Sequence, residues 1–105
     1  MSEPSRGEIW WGETPDAKGR PYLVLTRDSA IPVLRTILVA PITRTIRGIP
    51  TEVPVGPADG LSVDGVAAMD GVMPFPKGML TRRIGNLGAV RVHEMCEALG
   101  NAVDC

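Results

Sequence analysis

A chain of 105 residues with 44% hydrophobic and 22% charged side chains suffices for one modest core but not for two. That composition excludes a largely disordered protein, and a single folded domain is expected. A formal net charge of −1 excludes a general positive field that would draw the chain to nucleic acid or membrane, so any polyanion site must be local.

The segment Met1–Arg6 lacks the apolar stretch of a secretory signal. No apolar run approaches the roughly 20 residues a membrane helix needs, so the cytoplasm is the expected location. The 12 glycines and 10 prolines are spread along the chain and cut it into short elements, which favours β structure over an all-helical fold.

Taken in order, Arg6–Trp11 alternates as a first strand, with Ile9 and Trp11 on one face and Glu8 and Trp10 on the other. Trp11 is the expected core residue. Trp10 shares its face with Glu8 and is open to ordinary amphipathic packing or to a stacking or partner-binding role. Gly12–Gly19 reads as a polar loop carrying Pro15, Asp16 and Lys18.

Gly19–Thr26 is a second strand with apolar residues on both faces, since Pro21 fits only a strand start or edge. Arg20 is then held at the junction of loop and strand. A guanidinium there suits a phosphate, and it equally suits a surface ion pair with Asp16 or Asp28.

After a turn over Arg27–Val33 comes the run Ile37–Ile42, apolar, rich in β-branched residues and fit for a strand buried on both faces. Pro41 has no N–H, so the ladder weakens there and the backbone is free to leave the sheet or bulge just before Thr43. Thr43, Arg44, Thr45 and Arg47 then gather hydroxyl and guanidinium groups suited to an anion.

Pro50–Val55 is a fourth strand whose prolines indicate an edge, and Gly56–Gly60 is a turn. Gly65–Asp70 is a short strand ending at an acid, Met73–Gly78 a rigid loop, and Met79–Ile84 the last strand. Beyond Asn86, a candidate N-cap, Val92, Cys96, Leu99 and Val103 recur at helical spacing, with Gly100 and Asn101 able to end the helix early.

Familiar catalytic parts are few. His93 is the only histidine and falls just off the helix stripe, which excludes a His-based triad or paired-His mechanism. Cys96 and Cys105 show no metal-ligand spacing; on one helix they would stand about 13 Å apart, too far for a disulfide. No HExxH, CxxC, GxxxxGK[ST] or GxGxxG occurs, so no metal or nucleotide cofactor is expected. Arginines, threonines and a few acids at strand ends remain.

In order along the chain, Arg6-Gly7-Glu8-Ile9-Trp10-Trp11, Gly19-Arg20-Pro21, Val39-Ala40-Pro41-Ile42-Thr43, Asp64-Gly65-Val66-Ala67 with Asp70, and Arg83-Ile84-Gly85-Asn86-Leu87 before a helix resemble the MazF/PemK toxin ribonucleases. The resemblance covers nearly the whole chain. It implies a mainly β fold with a C-terminal helix, a small SH3-like barrel shared with CcdB.

It further implies a homodimer that cuts single-stranded RNA without metal and pairs with an antitoxin whose disordered, acidic and partly apolar tail folds onto the same surface. In that family the arginine of the Arg-Pro motif and the threonine ending the third strand form the catalytic pair, which here are Arg20 and Thr43. Arg44 and Arg47 become candidates for flanking phosphates, Asp70 for substrate contact, and Asp16 and Lys18, in a loop that shapes base readout, for the same.

Ala68 stands where some members carry an arginine two residues before the strand-end aspartate, and the first loop has no histidine. An Arg-x-Asp mechanism is therefore not on offer.

The chemistry also stands without the family. RNA carries its own nucleophile, the 2′-hydroxyl, and needs only alignment and stabilisation of the charge developing at phosphorus. Arg20 suits the phosphorane, with a proton relay to the leaving oxygen as an added role, and Thr43 suits a phosphoryl oxygen. Two competing readings are a CcdB-like topoisomerase-binding toxin and an SH3-like peptide-binding module. The first works through a tryptophan at its C-terminal helix end, and this chain ends Asn101-Ala102-Val103-Asp104-Cys105.

Overall fold

The computed structural model describes residues 3–99. Seven strands and one helix make it up: β1 (Glu8–Thr14), β2 (Ala17–Val24), β3 (Thr36–Thr43), β4 (Glu52–Val55), β5 (Gly65–Ala68), β6 (Met73–Pro76), β7 (Leu80–Asn86) and α1 (Ala89–Leu99). The strands run in the order β4-β5-β3-β2-β1-β7, and β6 also pairs with β3. The result is the expected mainly β fold, a sheet curled into a half-barrel with one helix at its C-terminal end.

β3 is the hub, since it pairs with β2, β5 and β6. Ile37, Val39, Ala40 and Ile42 are buried as their β-branched, apolar run predicts, while Leu38 remains 37% exposed. Pro41 acts as expected: the β2–β3 pairs stop at Tyr22↔Pro41.

On its other edge β3 changes partner at the same place, from β6 over Thr36–Val39 to β5 over Ile42 and Thr43. A 3₁₀ turn, Met69–Gly71, lies between β5 and β6. A residue without an N–H has no ladder bond to lose, which is where a partner strand can most cheaply turn away.

Both faces of the sheet are packed. Ile9, Leu23, Leu25, Ala40, Ile42, Val53, Val55, Ala67 and Met95 of α1 form one cluster; Trp10, Tyr22, Val24, Ile37, Val39, Phe75 and Leu80 form the other. Curling is completed where the turn after β4 meets β7. Gly60, at φ +101°, and Gly85 let these backbones touch, and a Cβ on Gly60 would lie 2.6 Å from the Ile84 carbonyl oxygen.

Several expectations are corrected. Trp10 is the buried tryptophan, 7% exposed, with its indole N–H donated to Glu8 Oε1 at 3.0 Å; Trp11 is only half-buried. Trp10 is thus a core residue and not a partner-binding surface. Alternation separates two faces, but with a core on each it cannot say which tryptophan is inside.

Gly12–Gly19 is no loop. β1 and β2 continue to the pair Thr14↔Ala17 across Pro15 and Asp16, a Pro-Asp turn of the ordinary kind. Arg20 accordingly lies within β2, opposite Gly12. Met73–Pro76, expected as loop, is strand β6.

Asn86 ends β7 and is not a helix cap. The Gly88 carbonyl accepts the first helical bond, from the Val92 N–H at 2.9 Å. Along α1, Met95 is fully buried while Val92, Cys96 and Ala98 pack partly against the core. His93 lies farther out than the boundary expected, its side chain 77% exposed. Gly100, Asn101, Val103 and Cys105 lie outside the described residues.

Candidate functional site

An open groove of about 640 Å³ runs between the β1–β2 hairpin, the end of β3 and the loop before β5; among its lining residues are Trp11, Lys18, Arg20, Pro21, Ile42, Thr43, Arg44 and Val63. It forms where the β2–β3 ladder has just ended. From the last pair, Tyr22↔Pro41, two more residues along each strand bring Arg20 opposite Thr43. Proline thus positions the site by stopping the ladder, so that the end of β3 and the unpaired edge of β2 leave their polar groups in one groove.

The cations of the groove are unspent. Arg20, Lys18 and Arg44 are exposed, and none of them makes a hydrogen bond or ion pair with a described residue. The ion pair of Arg20 with Asp16 or Asp28 does not form; Asp28 instead accepts the Arg6 backbone N–H at 2.6 Å.

Thr43 Oγ1 accepts the Thr45 N–H at 3.1 Å, which fixes the oxygen and leaves its hydroxyl proton for an incoming acceptor. Gly65 allows β5 to approach this strand end, since a Cβ there would lie 2.5 Å from the Thr43 carbonyl oxygen. Asp16, at the hairpin turn, is exposed and does not line the groove.

Arg47 and Asp70 are brought together away from the groove. Arg47 Nη2 donates to Asp70 Oδ2 at 3.0 Å, and its Nε donates to Glu52 Oε2 at 3.1 Å. To the two readings of Arg47, phosphate contact or a solvated loop, the structure adds a third: Arg47 is engaged by two carboxylates, and Asp70 by Arg47.

Glu52, which sequence reasoning passed over, organises this corner. Its side chain is 3% exposed and accepts the backbone N–H groups of Arg47 at 3.0 Å and Gly48 at 2.9 Å. Gly48 has φ +71°, the left-handed conformation this tight wrap requires. The loop that leaves Thr43 and Arg44 is thereby tied down at its far end.

Burial pushes the Glu52 carboxyl up, but the hydrogen bonds from the Arg47 side chain and from the Arg47, Gly48 and Ile49 N–H groups outweigh it. The carboxyl is held below its ordinary value of 4.5. Arg47 is raised by the hydrogen bonds it donates to Glu52 and Asp70, so it stays charged throughout acid titration.

A depressed carboxyl stabilises the fold above its unfolded pKa and loses that contribution as pH falls through the folded value. In urea titrations the wild type is expected to exceed Glu52→Gln in stability at pH 7, with the gap closing as pH drops below 4.5. A gap that persists unchanged to lower pH would show that the carboxylate does not hold the loop.

Trp11 is the groove residue that sequence reasoning misplaced. Its indole edge lies against Gly19, where any Cβ would collide with the ring, and its Nε1–H donates to Glu13 Oε1 at 3.1 Å. Among the described residues, no three histidine, cysteine or carboxylate side chains gather as a metal-ligand set, and no helix is long and apolar enough to cross a membrane.

Comparison with known proteins places this groove in context. The family model for the PemK-like, MazF-like toxin of type II toxin-antitoxin system matches residues 5–103. Probable endoribonuclease MazF5 of Mycobacterium tuberculosis is 44% identical over 103 residues, 97% of this chain and 94% of that protein.

The solved structure of Mycobacterium tuberculosis toxin MazF-mt6 superposes with a TM-score of 0.83 at 40% identity, over 93% of this chain and 99% of the other. A MazE-MazF crystal structure from Deinococcus radiodurans gives a TM-score of 0.81 at 26% identity, over 96% of each chain. The chain therefore belongs to the PemK-like, MazF-like family of type II toxin-antitoxin systems, as a MazF-type toxin endoribonuclease.

Proposed function

We propose that this toxin cuts single-stranded RNA at a short sequence, without a metal ion, leaving 2′,3′-cyclic phosphate and 5′-hydroxyl ends. The observation that carries the reading is the juxtaposition at the end of β3. A guanidinium with no partner among the described residues, Arg20, and a hydroxyl with its proton to give, Thr43, line one groove.

In the reaction the substrate's 2′-oxygen attacks the adjacent phosphorus and loses its proton, and the bond to the 5′-oxygen breaks as that oxygen gains one. Charge grows on the phosphoryl oxygens in between. Arg20 meets that charge with a planar, multi-donor cation, and Thr43 donates one further hydrogen bond. Arg20 acts through its field, and solvent water takes the 2′-proton and supplies the one that the 5′-oxygen gains.

Lys18 and Arg44, which line the same groove, hold neighbouring phosphates and fix the strand in register. The paired charges of Arg47 and Asp70 support the loop behind Arg44 and touch the substrate only secondarily. One domain carries the whole activity.

Two further parts of the reading concern partners. The MazE-MazF neighbours support a cognate antitoxin, whose acidic and apolar tail would cover this cationic, partly apolar groove by folding on binding. Exposed apolar side chains before and along β3, among them Val33 at 81%, Leu34 at 39% and Leu38 at 37%, offer surface for the second copy of a homodimer. The toxin would act in the cytoplasm, where message cleavage stops translation and growth.

The test is to incubate the purified protein with long single-stranded RNA in EDTA, beside Thr43→Val, and map the ends. Cuts at a recurring short sequence with cyclic-phosphate ends, slowed about 100-fold in the variant, are expected. Ends bearing a 5′-phosphate, or cleavage only when a divalent ion is restored, would overturn the mechanism.

A further inference from the structure

The groove does not end at Arg20 and Thr43. Across the sheet Arg82 of β7 is registered with Trp11 of β1, and Trp11 with Pro21 of β2. This row places an aromatic ring between the reacting pair's strand and an outlying cation. The Arg82 guanidinium stands over the Trp11 ring, 5.8 Å from its centroid. It is exposed and makes no hydrogen bond or ion pair with a described residue, whereas its neighbour Arg83 is engaged by Glu8 at 3.0 Å.

Arg82 also lines a second groove beyond β1, with Trp10, Lys77 and Thr81. Trp11 lines the first groove and Arg82 the second, and the contact between them links the two.

We propose that Trp11 and Arg82 form a nucleotide subsite, in which the base next in line to the reacting phosphate stacks on the Trp11 indole and Arg82 takes that nucleotide's phosphate. This deepens the RNA reading given above and rests on it.

Three features carry the assignment. The ring is supported from the Gly19 side and its only hydrogen-bonding group is spent on Glu13, so what it offers a ligand is its π surface, which every base can use. The guanidinium, 5.8 Å from the ring centroid, is held by the ring through a cation–π contact and by no described carboxylate, so its charge is left for a phosphate. Finally, β2 and β7 are two strand spacings apart, about 10 Å, which sets Arg82 apart from the phosphate that Arg20 meets. The subsite therefore serves a nucleotide beyond the one that reacts.

Stacking and phosphate contacts leave different signatures, and binding of an uncleavable strand separates both from chemistry. The probe is a fluorescein-labelled 2′-O-methyl oligonucleotide of mixed sequence, titrated by anisotropy over a range of salt, beside the same backbone lacking bases. Trp11→Leu keeps apolar bulk against Gly19 while removing the π face.

It is expected to weaken binding about tenfold, consistent with one lost base stack, with the salt slope unchanged. Trp11→Phe is expected to recover most of the affinity. Arg82→Gln is expected to weaken binding and reduce the salt slope by about one. The base-free backbone should bind wild type and Trp11→Leu alike.

Equal affinity of wild type and Trp11→Leu for the base-bearing strand would overturn the subsite, provided Arg20→Ala still weakens it. If wild type binds neither strand, the RNA reading itself fails. Loss of binding in Trp11→Leu with a lowered melting point, unrescued by phenylalanine, would assign Trp11 to packing and equally overturn the proposal.

Discussion

Replacing Arg20 with alanine is expected to slow RNA cleavage by about 10²- to 10³-fold while leaving the fold intact. The magnitude is that of removing one preorganised donor from a developing oxyanion. The separation of activity from stability follows from the structure: Arg20 is exposed, and no described residue would lose a hydrogen bond or salt bridge with it.

Single-turnover rates on a defined RNA, measured beside thermal midpoints, check both halves. Arg20→Lys should recover part of the loss, because it restores the charge without the planar fork. Cleavage that survives Arg20→Ala within about threefold would mean that phosphate is stabilised elsewhere, with Arg44 the next residue to vary.

The largest effect on stability is expected at Phe75. This side chain is 1% exposed, its ring lies 4.6 Å from that of Tyr22, and it fills the space beside Gly12, where a Cβ would come within 2.9 Å of Cζ. Through Phe75, β6 is fastened to β3 and to the base of the hairpin that carries Arg20.

Phe75→Ala is expected to cost about 3–5 kcal/mol, a large share of the 5–15 kcal/mol that typically holds a domain together. Urea unfolding at neutral pH reads the loss directly. A cost below about 1 kcal/mol would place the weight of that core face on Trp10 and Val39 instead.

What the chain disclosed in advance, and what it hid, divides along physical lines. β3 and α1 were legible because each declares itself locally, one by an unbroken β-branched run, the other by apolar residues at helical spacing. Arg20 and Thr43 were legible only with the family's order of motifs in view, since an exposed arginine beside proline has no distinctive chemistry until the fold sets a hydroxyl across from it.

β6 was hidden by its prolines. Pro74 and Pro76 share parity, and in an edge strand alternate N–H groups point away from the single partner, so both are accommodated. The tryptophans were exchanged because a sheet with a core on each face makes alternation ambiguous. The Arg47, Glu52 and Asp70 cluster joins residues that no spacing rule connects. A carboxylate that looks like an exposed strand start becomes the anchor of a loop only once the chain has returned beside it.

The partner exchange at Pro41 has a mechanical consequence. Thr43 is paired on one edge, with Val66 of β5. Two residues earlier its strand is held on the other edge too, by Tyr22 of β2, so displacing Thr43 must break a pair beside the centre of the sheet. Arg20 sits on a hairpin whose ladder to β3 ends at Tyr22 and whose own tip contains only a short turn. Local opening draws on the least protected segments first. On the reading proposed above, opening of the hairpin widens the groove on the Arg20 side while Thr43 keeps its place on β3.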